Sequence, residues 1–174
     1  GVTRIDQIQE NASTVTLRLF ATSAMHQIGN LAASDLTGDG KPELIAAFPN
    51  ASLSDYALGG GVVAVIQNSG GVEGETVITP NDLSSTAIFT RNRKSAALGT
   101  AILNTNTGLF LSTLPSTTQE AGSSEGGILY SVPRALLNFA GIQEISEIAP
   151  LRFHARETTD LFATSIALLG DLNR

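Results

Sequence analysis

Short apolar runs alternate with polar segments rich in glycine, proline, asparagine and serine along most of the chain. The runs are five or six residues long and rich in valine, isoleucine, leucine and phenylalanine, which is typical of β-strands bounded by turns. The pattern predicts eight strands, at residues 29–34, 44–48, 62–67 and 86–91 and then at 99–103, 109–114, 128–132 and 150–155. Residues 133–142 instead have a helical pattern between Pro133 and Gly141, and we predict a short helix there.

The two groups of four strands are predicted to be copies of one repeated unit. Pro49 and Pro115 each end an apolar run, and they lie 66 residues apart. The glycine-rich segments that begin at Gly59 and Glu125 have the same separation. Two pairs of landmarks at one spacing indicate an internal repeat, which is typical of architectures built from stacked units.

An apolar residue followed by a small one recurs near the start of each unit. The pairs are Ile28-Gly29, Leu98-Gly99 and Phe162-Ala163, and their spacings are 70 and 64 residues. The first unit is longer in DLTGDGKPE, residues 35–43, whose shorter counterpart NTNTG at 104–108 carries no carboxylate. Radial repetition of four-stranded antiparallel sheets gives a β-propeller, so we predict an all-β chain of about two propeller blades.

The predicted units divide the chain into four parts. Residues 1–23 hold the last strand of a preceding blade (14–20), 24–93 a blade with an ion-binding loop, 94–158 a blade with a degenerate loop and the short helical insertion, and 159–174 the first strand of a further blade (162–170). Propellers typically close with about four to eight blades. The predicted propeller is therefore incomplete, and it has an unpaired strand edge at each end.

Residues 35–43 connect the first two predicted strands and carry an oxygen donor at every second position. The donors are the side chains of Asp35, Thr37, Asp39 and Glu43 and the backbone carbonyl of Lys41. They would converge if the chain curled, and Gly38 and Gly40 permit the positive φ angles that such a curl needs. Three crowded carboxylates repel one another unless a cation lies among them. We therefore predict a Ca²⁺ site here, in preference to Mg²⁺ or a bare Asp-Gly hairpin turn.

A second, incomplete donor pair lies at Asp171 and Asn173, which occupy the first and third positions of a similar pattern. Two donors alone do not hold a metal ion. This pair would form a site only where further oxygens are supplied.

These features together resemble the FG-GAP repeat of integrin α-subunit propellers and their bacterial relatives. The resemblance is carried by DLTGDGKPELIAAFP (35–49) and GGGVVAVI (59–66), and in part by FATSIALLGDLN (162–173), where Phe162-Ala163 replaces the name-giving Phe-Gly. It weakens over 98–132, which lack the metal loop. Membership of this family implies a Ca²⁺-loaded propeller, commonly extracellular or on a cell surface, that binds partners or braces a larger assembly.

The composition narrows the range of partners. The chain has 174 residues, a formal net charge of −6 and no cysteine, so disulfides and thiolate metal sites are excluded. An acidic chain without a basic run is not expected to bind nucleic acid. No apolar stretch approaches the roughly 18–20 residues needed for a membrane-spanning helix, so we expect no membrane insertion.

Motifs that suggest catalysis have simpler interpretations. GSSEG (122–126) has the spacing of a nucleophile elbow, but a strand-like run follows it where a helix is needed. GGGVVA (59–64) leads into a predicted strand and not into a phosphate-binding helix. The two histidines, His26 and His154, fall in different units and are interpreted as surface or turn residues, and Glu144 and Glu147 as parts of a solvated face. We expect no enzyme activity.

The function that we expect is that of a calcium-stabilised, non-catalytic binding or adhesion module, extracellular and part of a longer propeller. Its partner would be a protein or glycan ligand, or further blades of the same propeller. One alternative is a subunit that assembles into a surface ring or filament by self-association through its open blade edges. Another alternative is an accessory propeller domain of a secreted hydrolase.

Overall fold

The computed structural model describes residues 28–53, 58–66, 86–105, 107–117, 124–137, 141–157 and 160–167. The strands are β1 (Asn30–Ser34), β2 (Glu43–Phe48), β3 (Val62–Ile66), β4 (Thr86–Thr90), β5 (Ile102–Thr105), β6 (Gly108–Ser112), β7 (Ser116–Thr117), β8 (Ser124–Glu125), β9 (Ile128–Pro133), β10 (Gly141–Glu144) and β11 (Leu151–His154). A 3₁₀ turn spans Arg134–Leu136, and the short helix α1 spans Ile145–Ile148. The chain is all-β, as the sequence predicts.

Most of the strands belong to two sheets. Sheet A has the order β1-β2-β3-β4-β10, and sheet B has the order β11-β9-β6-β5. The four predicted strands of the first unit are β1 to β4, and those of the second unit are β5, β6, β9 and β11. Within each unit, every strand pairs antiparallel with the next of these strands along the chain. Strand β10 departs from this pattern, because it comes from the second unit and pairs in parallel with β4 of the first. Strands β7 and β8 form a separate two-stranded ladder.

The strands follow the repeat that the sequence predicts. Strand β3 begins at Val62 and β9 begins at Ile128, and these positions are 66 residues apart. The first strand of the second unit starts later than predicted, at Ile102, because the chain turns at Leu98 and Gly99 has a φ of 89°. A close contact also recurs, since Gly61 lies against the backbone of Leu98 and Gly127 lies against the backbone of Phe162.

The helix predicted over 133–142 is wrong. Pro133 is the last residue of β9, where its missing N–H is tolerated at a strand end, and a single 3₁₀ turn follows it. Leu137 then enters the hydrophobic core, and β10 begins at Gly141 with a φ of 112°.

The strands predicted at the two ends of the chain have different outcomes. Residues 14–20 lie outside the described residues. Residues 162–167 form turns and irregular structure, so the strand predicted over 162–170 does not begin at Phe162. Ala163, which stands where the second unit has Gly99, has a positive φ of 57°.

Sheets A and B pack face to face on one core. Its members include Ile45, Val63 and Phe89 from sheet A and Leu109, Leu111 and Tyr130 from sheet B. A second buried cluster, with Ala46, Phe48, Val62, Ala64 and Ile88, lies on the other face of sheet A. Sheet A is therefore buried on both faces, unlike the sheets of a two-layer sandwich, whose outer faces are polar.

The other face of sheet B carries five large apolar side chains together with Ser112 and Ser131, and it is incompletely covered. The register places Leu103, Phe110, Leu129, Leu151 and Phe153 on this face. On the edge strand β11, Leu151 is 50% exposed and Phe153 is 44% exposed. The corresponding edge of sheet A differs, because β10 covers the outer side of β4.

The first strands of the two units also meet. The Asn30 side chain of β1 donates to the carbonyls of Gly99 and Thr100 at 3.0 and 2.8 Å, and the Asn104 side chain of β5 donates to that of Ala33 at 3.2 Å. These bonds join β1, an edge strand of sheet A, to β5, an edge strand of sheet B, and to the residues that precede β5. Among the described residues, no helix has the length and apolar character needed to cross a membrane.

Candidate metal centre

The loop at residues 35–42 connects β1 to β2, and Glu43 opens β2. Ser34, the last residue of β1, pairs with Glu43, the first residue of β2, so the two ends of the loop lie side by side at one end of the sheet. Gly38 and Gly40 have φ angles of 85° and 83°, which confirms the predicted curl. Leu36 anchors the loop, because its side chain is buried in the core between the sheets.

The carboxylate of Asp35 lies inside the curl. Its Oδ1 accepts a hydrogen bond from the Gly38 N–H at 2.6 Å, and its Oδ2 accepts one from the Gly40 N–H at 3.0 Å. Asp39 is exposed, and its Oδ1 accepts from the Lys41 N–H at 2.8 Å. Bonds of this kind, from an aspartate to amides a few residues further on, hold the side chain over its own turn.

Glu43 faces the same turn from the other side. Its Oε2 accepts from the amides of Leu36 at 2.5 Å and Thr37 at 3.0 Å, and its Oε1 accepts from the Thr37 hydroxyl at 3.2 Å. The residue is buried, with 1% of its surface exposed. A carboxylate at this depth needs such donors, because burial disfavours its charge.

Arg134 approaches the loop from the second unit. It follows β9, and its Nε donates to the Leu36 carbonyl while its Nη2 donates to the Asp35 carbonyl at 2.8 Å. Nη2 also lies 3.5 Å from Oδ1 of Asp35. The sequence gives no signal for this contact, since the two residues are 99 positions apart.

The loop fits a hard cation in its donor chemistry and its curvature. All the predicted donors are oxygens, which Ca²⁺ prefers, and Asp35 and Glu43 reach one turn. The carboxylates are directed at amide hydrogens, however, and within the described residues no three side chains of His, Cys, Asp or Glu are close enough to hold a metal ion. Amides and Arg134 thus offset the carboxylate repulsion on which the sequence prediction relies. The roles of all five predicted ligands stay predictions: Asp35, Thr37, Asp39, Lys41 and Glu43.

A second polar cluster lies where β4, β8 and β10 meet. Arg91 donates from Nη1 to Glu144 at 2.7 Å and to the Ser146 hydroxyl at 2.8 Å, and from Nη2 to Glu125 at 3.0 Å. Arg93 adds a contact of 3.2 Å to the same Glu125 oxygen. The side chains of Arg91 and Glu144 are each 10% exposed, so the prediction that Glu144 lies on a solvated face is wrong. Its partner is 53 residues away in the sequence, beyond the reach of local patterns.

Tyr130 lies beside this cluster at the centre of the core. Its hydroxyl is buried and makes no hydrogen bond within the described part of the chain. Burial raises the pKa of Tyr130 to about 12, although the neighbouring Arg91 works in the opposite direction. The neutral phenol is therefore the form that the folded protein holds.

Alkaline pH should destabilise the protein through Tyr130. The unfolded phenol ionises near its ordinary pKa of 10 and the folded one near 12, so this contribution is complete below pH 10 and is lost as the pH rises to 12. The full loss is about 2–3 kcal/mol, of which about 1.4 kcal/mol is lost by pH 11. Urea unfolding of the wild type and of Tyr130→Phe at about pH 9 and pH 11 measures it. Equal pH dependence in the two proteins would exclude this role.

The remaining predicted motifs have no catalytic setting in the described residues. Ser124 of GSSEG lies in β8, and β9 follows it where a nucleophile elbow needs a helix. GGGVVA enters β3 as predicted, and His154 and Glu147 are exposed. His26 and the donor pair Asp171 and Asn173 lie outside the described residues.

Comparison with known proteins adds no relative from which a role could be taken. No protein-family model, curated protein or solved structure matches the chain.

Proposed function

We propose that this chain is a segment of an FG-GAP-type β-propeller and acts as a non-catalytic binding or structural module stabilised by Ca²⁺. The observation that carries the proposal is the curled carboxylate loop at the first connection of a repeated four-stranded sheet. In a radial array of such sheets, a bound ion at this connection would fix the loop at the end of a blade.

The burial of the sheets supports a radial array. A blade inside a propeller has a neighbour on each face, so both of its faces are apolar. Sheet A has buried apolar clusters on both faces. The face of sheet B that points away from sheet A carries the exposed side chains of Leu151 and Phe153. A further blade stacked on sheet B would cover these side chains. Exposed apolar surface of this kind is also where a partner would bind.

The donors of the loop support the choice of ion. Asp35, Asp39 and Glu43 would supply carboxylate oxygens, and Thr37 and the Lys41 carbonyl would complete the shell. Bound Ca²⁺ would supply positive charge that offsets the repulsion among the carboxylates. Function would then lie in recognition, with a protein or glycan as the ligand and an extracellular site of action, as the family resemblance implies.

Calcium should raise the melting temperature, because a ligand that binds only the folded form stabilises it. At about 100 times the dissociation constant the gain is about 2.7 kcal/mol, or roughly 5–10 °C for a chain of this size. Asp39→Ala should remove most of this gain and leave the melting temperature in chelator nearly unchanged, since Asp39 is exposed and accepts one amide bond. Differential scanning calorimetry in Ca²⁺ and in chelator gives both values.

Asp160→Ala is the matched control for this experiment. Asp160 is also exposed and accepts one backbone hydrogen bond, from Glu157, but it lies outside the loop. This variant should keep the full calcium gain. A wild-type protein that melts at the same temperature with and without Ca²⁺ would refute the calcium part of the proposal.

A further inference from the structure

We propose that Arg134 is the resident counter-ion of the 35–43 loop and sets its affinity for Ca²⁺, which couples ion binding to the contact between the two units. This inference rests on the proposed function. It assigns a role at the loop of the first unit to an arginine of the second unit. The sequence of the loop itself, residues 35–43, contains no sign of this arginine.

Arg134 is anchored both at its backbone and at its guanidinium. Its backbone N–H donates to the Thr107 carbonyl at 2.9 Å, which fixes the residue at the end of β9. Its side chain donates to the carbonyls of Asp35 and Leu36, and Nη2 lies 3.1 Å from the place where a side chain on Gly38 would begin. A side chain at this position would make a tight contact with the guanidinium, and the positive φ of Gly38 also favours glycine there.

The charge of Arg134 bears directly on the same carboxylate that an ion would use. Nη2 is 3.5 Å from Oδ1 of Asp35, and this is the ion pair that the loop makes in the described structure. A divalent cation bound to Asp35 would lie within a few ångströms of the guanidinium. In water, the repulsion between two such positive charges weakens Ca²⁺ binding by roughly tenfold. Added salt screens the repulsion and makes this effect smaller.

The arginine can move away when an ion arrives. Its side chain and that of Asp35 are each more than a third exposed, so the guanidinium can swing into water without leaving a buried cavity. Ion binding would then release the two loop carbonyls from the second unit. By linkage, whatever strengthens the Arg134 contact weakens ion binding by the same factor.

Two variants of Arg134 separate its charge from its geometry. Arg134→Gln removes the charge and should tighten Ca²⁺ binding by roughly 3- to 10-fold in calorimetric titration at about 0.1 M salt. The same variant should melt about 2–4 °C lower in chelator, because the ion-free loop loses its counter-ion. Arg134→Lys keeps the charge but loses the fork that reaches two carbonyls. It should bind Ca²⁺ within about twofold of the wild type and still melt lower in chelator.

Arg156→Gln is the control of equal charge change. Arg156 is exposed and lies two residues after His154, the last residue of β11. His154 pairs with Ile128 at the start of β9, whereas Arg134 follows the end of β9, so Arg156 lies at the other end of the sheet. Its replacement should leave both the affinity and the melting temperature in chelator unchanged.

The outcomes distinguish this inference from the proposed function. If the wild type binds Ca²⁺ and Arg134→Gln binds it equally well, the inference is overturned and the calcium proposal stands. If only Arg134→Gln binds Ca²⁺, the calcium part of the proposed function fails for the wild type, while the opposition between the guanidinium and the ion is supported. If neither protein binds Ca²⁺, both proposals fail.

Discussion

Arg91→Met is expected to lower the free energy of unfolding by about 3–5 kcal/mol at neutral pH. The guanidinium joins Glu125, Glu144 and Ser146 at a site where its side chain is only 10% exposed. Its removal leaves the Glu144 carboxylate, whose side chain is 10% exposed, without its arginine, while Glu125 keeps its contact with Arg93. The loss of a buried partner costs far more than the loss of a surface ion pair. Urea denaturation at pH 7 measures the change.

Two further variants isolate the orphaned charge as the cause. Arg93→Met makes the same chemical change where the side chain is 27% exposed and forms, among the described residues, an ion pair with Glu125, and it should cost only about 1 kcal/mol. Adding Glu144→Gln to Arg91→Met should recover part of the loss, because one uncompensated carboxylate is removed. A loss below about 1 kcal/mol for Arg91→Met would show that water reaches the cluster and replaces the arginine.

Gly61→Ala is expected to cost about 3–4 kcal/mol, because it combines a backbone clash with backbone strain. Gly61 precedes β3 with a φ of 84°, and a methyl group there would lie 2.6 Å from the Leu98 carbonyl oxygen and still closer to its amide nitrogen. Leu98 cannot yield easily, since its own N–H donates to the Gly60 carbonyl at 3.0 Å. The contact joins the first unit to the start of the second, so the clash acts on the packing of the two sheets.

Gly40→Ala is the matched control, measured in chelator. Gly40 has nearly the same φ, 83°, but no atom lies within 4 Å of the place where its methyl group would stand. Only the strain should remain, about 1–2 kcal/mol. The difference between the two variants in urea denaturation therefore measures the close approach of the units, and equal losses would mean that the contact with Leu98 contributes nothing.

Local patterns predict the four strands of each unit because each of these eight strands has its own signal. Ile128, Tyr130 and Val132 alternate with half-buried neighbours in β9, and turn residues bound nearly every run, so strand positions follow from a few residues at a time. The curl of the loop at residues 35–43 is predictable for the same reason, since Gly38 and Gly40 act within one turn.

The contacts that the sequence did not predict all join distant segments. Arg134 meets Asp35 and Arg91 meets Glu144 across different units, and no spacing rule connects such residues. The crowding of carboxylates at 35–43 suggested a missing cation, but amides and an arginine from the other sheet meet part of that need. Strand β10 was missed because its pairing with β4, and not an alternating pattern of its own, makes it extended.

Strand β10 comes from the second unit but completes the sheet of the first, and this affects the order of folding during synthesis. Gly141 of β10 pairs with Ala87 of β4, so the last strand of sheet A is translated more than fifty residues after its neighbour. Until that stretch has left the ribosome, the outer side of β4 offers unpaired N–H and C=O groups to any extended chain nearby. A nascent chain held at that stage therefore has an edge open to intermolecular pairing, which the protein closes only when the second unit has been made.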